Sequence, residues 1–299
     1  MTVLELILMA ERQLEQAGVA FGHGTGNAFD EAAWLVLWQL GLPLQTPLDG
    51  PQDHPDLAAN RAVSPMEQAQ VATLLRARVE TRQPAAYLTH EAWLQGVAFY
   101  VDQRCIVPRS LIAELLVNGS LDCWMGPSCN KVLDLCTGNA SLAIIAAKVY
   151  PEISIDAADI SRDALAVAAI NLERHKLQSR IRLIETDAMA GLDLAYDLIL
   201  CNPPYVNARS MAALPPEYRA EPALALDGNR HGGSDGMDLV RELLAQAPAH
   251  MRDQAALVLE IGNEREHFET AFPALETLWL PTSAGEDQVL LLTREALLR

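Results

Sequence analysis

The NPPY segment, Asn202-Pro203-Pro204-Tyr205, has residue types suited to holding a nitrogen nucleophile. The two prolines fix φ and lack N–H groups, so the carbonyl of Pro203 points in a set direction. The side-chain oxygen of Asn202 is a second acceptor, and two converging acceptors can bind both hydrogens of one –NH2 group. Tyr205 can cover the face of a planar group. The segment therefore predicts a site for an amide or an exocyclic amine, with an ordinary turn as the structural alternative.

Acidic and small residues follow three strands predicted upstream of the NPPY segment. The first strand leads into residues 134–140 (Asp-Leu-Cys-Thr-Gly-Asn-Ala), a small-residue turn that lets backbone N–H groups approach a ligand at the start of a helix. Only Gly138 is a glycine, so an ordinary tight turn explains this motif equally well. Asp159, after the second strand, can accept both hydroxyls of a ribose or cap the following helix. Asp187, after the third strand, is similarly ambiguous.

A regular alternation of strands and helices has to position these residues. Strands of continuous apolar character between amphipathic helices predict a parallel, doubly wound α/β sheet. Its last two strands predict an antiparallel hairpin at the edge. In such sheets ligands bind beyond the carboxyl ends of the strands, so we expect the polar segments to meet there. The predicted strands are 131–136, 153–159, 180–187, 196–201, 255–262, 274–280 and 286–293, and the helices are 141–150, 162–176 and 237–247.

Residues 1–83 predict a small helical domain. The Gly-rich run at 22–27 follows a helix and not a strand, which favours a structural turn over a phosphate-binding loop. The predicted helices are 2–17, 28–41 and 65–82, with a loop over 42–63.

Residues 84–125 predict a connector between this domain and the α/β domain. Their alternating, β-rich pattern indicates a β-hairpin, and a short helix follows at 109–118. A Gly/Pro/Ser/Cys linker at 126–129 opens the third predicted division, the α/β domain 126–299.

The charge of the chain excludes one class of partner. Lys and Arg number 22 against 39 Asp and Glu, a formal net charge of −17. Nucleic-acid binding depends on clustered basic side chains that neutralise phosphates, so DNA is not an expected partner. The acidity suits a soluble protein, or one that meets a basic partner.

The cysteines and the apolar residues indicate a cytoplasmic protein. The five cysteines form no C-x-x-C pair, so neither a disulfide framework nor a zinc site is expected, and a metal has no predicted role. Glu5, Glu11 and Arg12 argue against a signal peptide. No run approaches about 20 uncharged apolar residues, so no membrane partner is expected.

The strand-end motifs in combination resemble the AdoMet-dependent methyltransferases with a seven-stranded sheet. The motifs are Asp134-Leu-Cys-Thr-Gly, Asp159-Ile-Ser, Thr186-Asp187 and NPPY, and NPPY narrows the resemblance to enzymes that methylate nitrogen. Residues 84–115, with Pro-Ala-Ala-Tyr-Leu-Thr and Val107-Pro-Arg-Ser, resemble the HemK-type protein-glutamine methyltransferases. Val-Pro-Arg-Ser, Cys136, residues 21–32 and residues 216–222 are similar to the PrmB branch, which modifies a glutamine of ribosomal protein L-three of the large subunit.

This resemblance implies the fold, the cofactor and the site. The fold is a seven-stranded Rossmann-like sheet with a small N-terminal helical domain (1–83), implied to recognise the substrate, and a β-hairpin connector. The cofactor is S-adenosylmethionine (AdoMet), and its product is S-adenosylhomocysteine. The residues implied to bind the cofactor are Asp134, Cys136, Thr137, Gly138, Asn139, Ala140, Asp159, Ile160, Asp187, Ala188 and Asn202. Those implied to bind the glutamine are Asn202, Pro203, Pro204, Tyr205 and Arg109, with Asn202, Pro203 and Tyr205 as the catalytic set.

The first loop departs from the family at Ala140, where glycine is usual. An alanine is harmless if the position is helical, but it should weaken cofactor binding if the position needs a left-handed conformation. The sequence leaves both conformations open.

Three other functions remain open from the sequence. A release-factor glutamine methyltransferase shares the chemistry, although Val107-Pro-Arg-Ser counts against it. A DNA adenine methyltransferase shares the NPPY motif but needs a basic face for the duplex. A non-catalytic AdoMet-binding module is the alternative from another class.

The long irregular segment 206–234 favours one structural interpretation over another. A lid that faces the substrate is preferred to a disordered insert.

Overall fold

The computed structural model describes residues 1–48, 57–125, 129–193 and 195–299. Residues 126–128 of the predicted linker at 126–129 and residues 49–56 of the predicted loop at 42–63 lie outside the described residues. The chain divides into two compact units. The first unit is Met1–Glu91 with Pro215–Ala220, and the second is Ala92–Leu214 with Glu221–Arg299.

The first unit is helical, as its sequence pattern predicts. Thr2 and Ser64 form capping boxes with Glu5 and Glu67, which satisfy N–H groups that a helix start leaves open. Asn27, the last residue of the Gly-rich run, caps the second helix. The helices are α1 (Val3–Ala17), α2 (Ala28–Gln39), α3 (Pro65–Thr81), α4 (Ala85–Thr89) and, from later in the chain, α9 (Pro216–Arg219), with a 3-10 turn at Ala58–Asn60.

A buried ion network holds α9 within the first unit. Arg78 has no exposed surface, and its Nε donates to Glu31 Oε1 over 2.8 Å while its Nη1 donates to Glu217 Oε1 over 3.2 Å. Arg82 Nε lies 2.7 Å from the same Glu217 oxygen. Because buried charges need partners, Glu217 ties its segment to the helices. Chain order alone does not reveal this long-range pairing.

The connector differs from its prediction. Residues 85–89, expected in a β-hairpin, form the short helix α4, which His90 ends in a left-handed conformation (φ 52°). The hairpin is confined to β1 (Ala92–Leu94) and β2 (Val97–Phe99). Gln95 and Gly96 join the two strands at positive φ, as a two-residue hairpin turn requires. The hairpin belongs to the second unit and α4 to the first, so residues 84–125 do not form one body.

The second unit contains the predicted seven-stranded α/β sheet, which is confirmed. Its strand order is β5-β4-β3-β6-β7-β9-β8, with the first five strands parallel and the terminal hairpin antiparallel at the edge. The strands are β3 (Lys131–Leu135), β4 (Ser154–Asp159), β5 (Ile181–Glu185), β6 (Tyr196–Cys201), β7 (Met251–Glu260), β8 (Leu278–Thr282) and β9 (Gly285–Thr293). The helices are α5 (Ile112–Val117), α6 (Ser141–Val149), α7 (Arg162–His175), α8 (Ala208–Ala213), α10 (Asp238–His250), α11 (Arg265–Ala271) and α12 (Arg294–Leu298).

Apolar clusters cover both faces of this sheet. Val132 of β3 packs into one cluster with Ile144 of α6, and the next residue, Leu133, packs into the other with Val240 of α10. Successive side chains of a strand point to opposite faces, so a strand covered on both faces has to be apolar throughout. In the described ranges no helix is long and apolar enough to span a membrane.

Candidate active site

The strand register brings the predicted site residues to one edge of the sheet. Leu135 of β3 lies beside Ala158 of β4 on one side and Cys201 of β6 on the other. The first loop, Asp159 and the NPPY segment therefore begin at the same level. Thr186 N donates to Asp159 O over 3.0 Å, which extends this level to the end of β5.

Asp134 lies at the base of the first loop and is 1% exposed. Its Oδ2 accepts hydrogen bonds from Thr137 Oγ1 (2.5 Å) and from the N–H of Ala143 (3.0 Å). Its Oδ1 is buried and has no hydrogen-bond partner in the described part of the chain. Burial raises the pKa of this carboxyl to about 7, while the two hydrogen bonds oppose the rise. A buried acceptor without a partner is costly, and a donor from a ligand would satisfy it.

The first loop follows a left-handed path. Cys136 has φ 58°, Gly138 φ 56° and Ala140 φ 64°. Ala140 is fully buried and immediately precedes α6. It therefore has the conformation in which an alanine, unlike the usual glycine, is strained. The question that the sequence leaves open at Ala140 is answered here.

The polar side chains of this loop point into the protein and not outward. Thr137 donates to Asp134, and Asn139 Oδ1 accepts from Ser141 N over 3.2 Å. Asn171 of α7, which is fully buried, donates to the carbonyl of Asn139 over 3.1 Å. The backbone N–H of Thr137 also donates within the protein, to Ala158 O over 3.0 Å. The side chains of Thr137 and Asn139 therefore stabilise the loop itself, and Asn171 is a support that sequence analysis missed.

Asp159 is bound to the first loop and still retains acceptor capacity. Its Oδ2 accepts from Gly138 N and its Oδ1 from Ser161 N, each over 2.9 Å. Burial raises its pKa, and these bonds, with one from the N–H of Ile160, oppose the rise. An ionised carboxylate offers about four lone-pair sites, so Asp159 can still accept from the hydroxyls of a ribose.

The end of β5 carries Asp187 and Ala188, two of the residues implied to bind the cofactor. Asp187 accepts a 2.6 Å hydrogen bond from Arg230 Nη2, and Ala188 has a left-handed φ of 48°. Arg230 lies in the segment 206–234, where sequence analysis predicted a lid but did not single out this arginine.

The NPPY segment directly follows β6, and Asn202 is partly exposed. Within the described residues the Asn202 side chain has no hydrogen-bond partner, so its oxygen can accept from a ligand. A Cβ placed at Gly262 would lie 2.6 Å from the ring of Tyr205, so a glycine is required where the ring packs. Burial raises the pKa of the Tyr205 hydroxyl, as do the carboxylates of Glu260 and Glu264.

Arg109 and Glu260 border the NPPY segment. Arg109 donates two 2.7 Å hydrogen bonds to Glu221, so its proposed contact with substrate stays a prediction. Glu260 ends β7 and accepts from Ser110 Oγ (2.6 Å) and Leu111 N (2.9 Å). Its pKa is raised to about 7 by burial, and these hydrogen bonds oppose the rise. Sequence analysis missed Glu260. The signal that could have revealed it is an acidic residue at the end of an apolar strand, as at Asp159.

These residues fit AdoMet. The buried Asp134 oxygen without a partner, the left-handed loop and the remaining acceptor capacity of Asp159 suit a ligand that carries an ammonium group and a ribose. In the described part of the chain, no cluster of three His, Cys, Asp or Glu residues could hold a metal ion.

The comparisons with known proteins agree with this geometry. Residues 114–214 match the family model described as "Methyltransferase small domain". The catalytic domain of hMettl16 in complex with the MAT2A 3'UTR hairpin 6 has a TM-score of 0.50 at 12% identity, covers 77% of this chain and 81% of its own, and shows the fold alone.

Proteins similar over nearly the whole chain share one name, "Ribosomal protein uL3 glutamine methyltransferase". The Bordetella pertussis protein is 52% identical over 298 residues, which cover 99% of this chain and 96% of that protein. The Burkholderia pseudomallei protein is 49% identical over 300 residues, with 97% and 94% covered. The chain therefore belongs to the family of ribosomal protein uL3 glutamine methyltransferases.

Proposed function

We propose that this protein transfers a methyl group from AdoMet to the side-chain amide nitrogen of a glutamine in ribosomal protein uL3, the large-subunit protein L-three. The observation that carries the proposal is the position of Asn202. It directly follows β6, beside the loop of β3, with a side chain that has no protein partner among the described residues. The family membership supports uL3 as the substrate.

The cofactor would lie over the carboxyl ends of β3, β4 and β5. Residues 136–140 would hold its methionine part, Asp159 with Ile160 the ribose, and Asp187 with Ala188 the adenine. When bound, AdoMet supplies an electrophilic sulfonium methyl group. The chain itself has to orient the two reactants and keep the nitrogen in line with that methyl group.

The NPPY segment would hold the substrate amide. The oxygen of Asn202 and the carbonyl of Pro203 accept its two hydrogens, and Tyr205 covers its face, with Pro204 fixing the path between them. An amide nitrogen is a poor nucleophile because its lone pair is delocalised, and methylation makes it cationic. Acceptors placed on its hydrogens stabilise the charge that develops in the transition state. The proton can leave after transfer, so no general base is required.

The charge of the protein supports a free, basic substrate. A net charge of −17 attracts a basic ribosomal protein and repels an assembled ribosome with its phosphate surface. We therefore infer that methylation precedes assembly, in the cytoplasm. Association with uL3 is expected to weaken as salt rises, because screening acts on this attraction. Comparable rates on free uL3 and on intact large subunits would contradict this inference.

The test is methyl transfer from tritiated AdoMet to three separate substrates: free uL3, assembled large subunits and a peptide chain release factor. Peptide mass spectrometry then locates the labelled residue. We expect label on a glutamine of free uL3. Label on the release factor and not on uL3 would overturn the substrate assignment. AdoMet binding without transfer to any of the three would favour a non-catalytic module.

A further inference from the structure

The loop 227–237 is attached to the residues that follow the NPPY segment. Gly228 N and Asn229 Nδ2 both donate to Val206 O, over 3.2 and 3.1 Å, and Gly236 N donates to Asn229 Oδ1 over 2.8 Å. A Cβ at Gly236 would lie 2.1 Å from the carbonyl oxygen of Tyr205. The loop is therefore packed against the substrate side of the candidate site.

Arg230 extends from this loop to the end of β5. Its Nη2 donates to Asp187 Oδ1 over 2.6 Å, and its Nη1 lies 3.7 Å from Glu242 Oε2. The side chain is about one quarter exposed, and that of Asp187 about one half. Arg230 thus joins the loop 227–237 to the end of β5.

We propose that Arg230 is a positioning residue for the adenine end of AdoMet. This inference rests on the proposed function only in taking AdoMet as the cofactor. Arg230 binds one oxygen of Asp187, and in the described part of the chain the other oxygen, Oδ2, has no hydrogen-bond partner. That oxygen can accept from the exocyclic amino group of adenine. A charge-assisted hydrogen bond to Arg230 holds the carboxylate in one orientation before the ligand arrives.

The alternative for Arg230 is an ordinary surface ion pair, which contributes little to stability or binding. The two interpretations differ in what they predict for the adenine amino group. A positioning residue acts through Asp187 on that group, whereas a surface ion pair has no dependence on the base.

The experiment measures binding of S-adenosylhomocysteine and S-inosylhomocysteine by calorimetry. Inosine has a carbonyl oxygen where adenine has the amino group, so this position of the base accepts hydrogen bonds and cannot donate one to Asp187. We expect wild-type protein to bind the inosine analogue at least about tenfold more weakly, since a hydrogen bond to a charged group contributes about 1.5–3 kcal/mol. Arg230→Ala should weaken binding of the adenosine ligand about five- to tenfold and of the inosine ligand less than about twofold. Arg230→Lys keeps the positive charge but loses the planar set of guanidinium donors. Its dissociation constant for the adenosine ligand should therefore lie between those of wild type and Arg230→Ala.

Arg241→Ala is the matched control. Arg241 pairs with Asp235 and Asp238 beside the same loop and makes no contact with Asp187 among the described interactions. It should leave both dissociation constants within about twofold of wild type. Equal weakening of both ligands by Arg230→Ala, or no weakening, would overturn the proposal. Because the readout is ligand binding, it is independent of the methyl acceptor. Failure to methylate uL3 would therefore contradict the proposed function and leave this result intact.

Discussion

Gly262 packs against the ring of Tyr205 so closely that a Cβ at Gly262 would lie 2.6 Å from Tyr205 Cε2. Gly262 lies two residues after the end of β7, and Tyr205 lies four residues after the end of β6. Because these two strands are neighbours in the sheet, the glycine determines where the tyrosine ring can lie.

We expect Gly262→Ala to displace Tyr205 and to lower kcat for glutamine methylation, by at least about tenfold for a misplaced stacking group. Gly191→Ala is the control, because Gly191 also has a positive φ (74°) but has open space within 4 Å of a built Cβ. Both variants strain the backbone, but only the first moves Tyr205. Equal kcat values for the two variants would contradict the role of the ring.

Asn202→Ala removes an acceptor that acts on the charge developing in the transition state. We expect turnover to fall on the order of 10²-fold. Binding of S-adenosylhomocysteine should fall far less than turnover, because the other residues implied to bind the cofactor, among them the first loop, Asp159 and Asp187, are unchanged. Single-turnover methyl transfer and calorimetry measure the two properties separately. Unchanged turnover would rule out the assignment.

Ala140→Gly tests the strain in the first loop. Ala140 has φ 64°, whereas Ala143 is helical, and both are fully buried. Either change to glycine removes one buried methyl group and adds the same freedom to the unfolded chain. We expect Ala140→Gly to have a free energy of unfolding about 1–2 kcal/mol higher than Ala143→Gly, because only the first relieves a left-handed alanine. Denaturant unfolding provides the comparison, and tighter AdoMet binding by Ala140→Gly is expected as well.

Glu260 should make stability depend on pH in a definite direction. Its folded-state pKa is about 7 against an ordinary 4.5, so the stabilising contribution of the protonated carboxyl is complete below about pH 4.5. That contribution is lost as pH rises to about 7. Glu260→Gln keeps an acceptor for Leu111 and removes the titration. Between pH 5 and pH 8, the free energy of unfolding should therefore fall by up to about 3 kcal/mol more in wild type than in Glu260→Gln. Parallel pH profiles would show that the carboxyl does not titrate in this range.

The sequence by itself determined the parallel sheet and the positions of the strand-end motifs. Apolar strands that alternate with amphipathic helices allow few other folds, and the carboxyl ends of parallel strands meet at one edge. The sequence alone therefore predicted that the cofactor loop, Asp159 and the NPPY segment lie together. The helices of the first unit could also be predicted from the sequence, because Thr2, Asn27 and Ser64 are local capping signals.

Only the tertiary structure decided the rest, because it depends on contacts between residues far apart in the chain. Glu217 joins the first unit through Arg78, 139 residues away. Arg230 reaches Asp187 across 43 residues, and Glu260 meets Ser110 across 150. The left-handed φ of Ala140 is equally invisible in the sequence, because alanine normally avoids that conformation and only the packed loop imposes it.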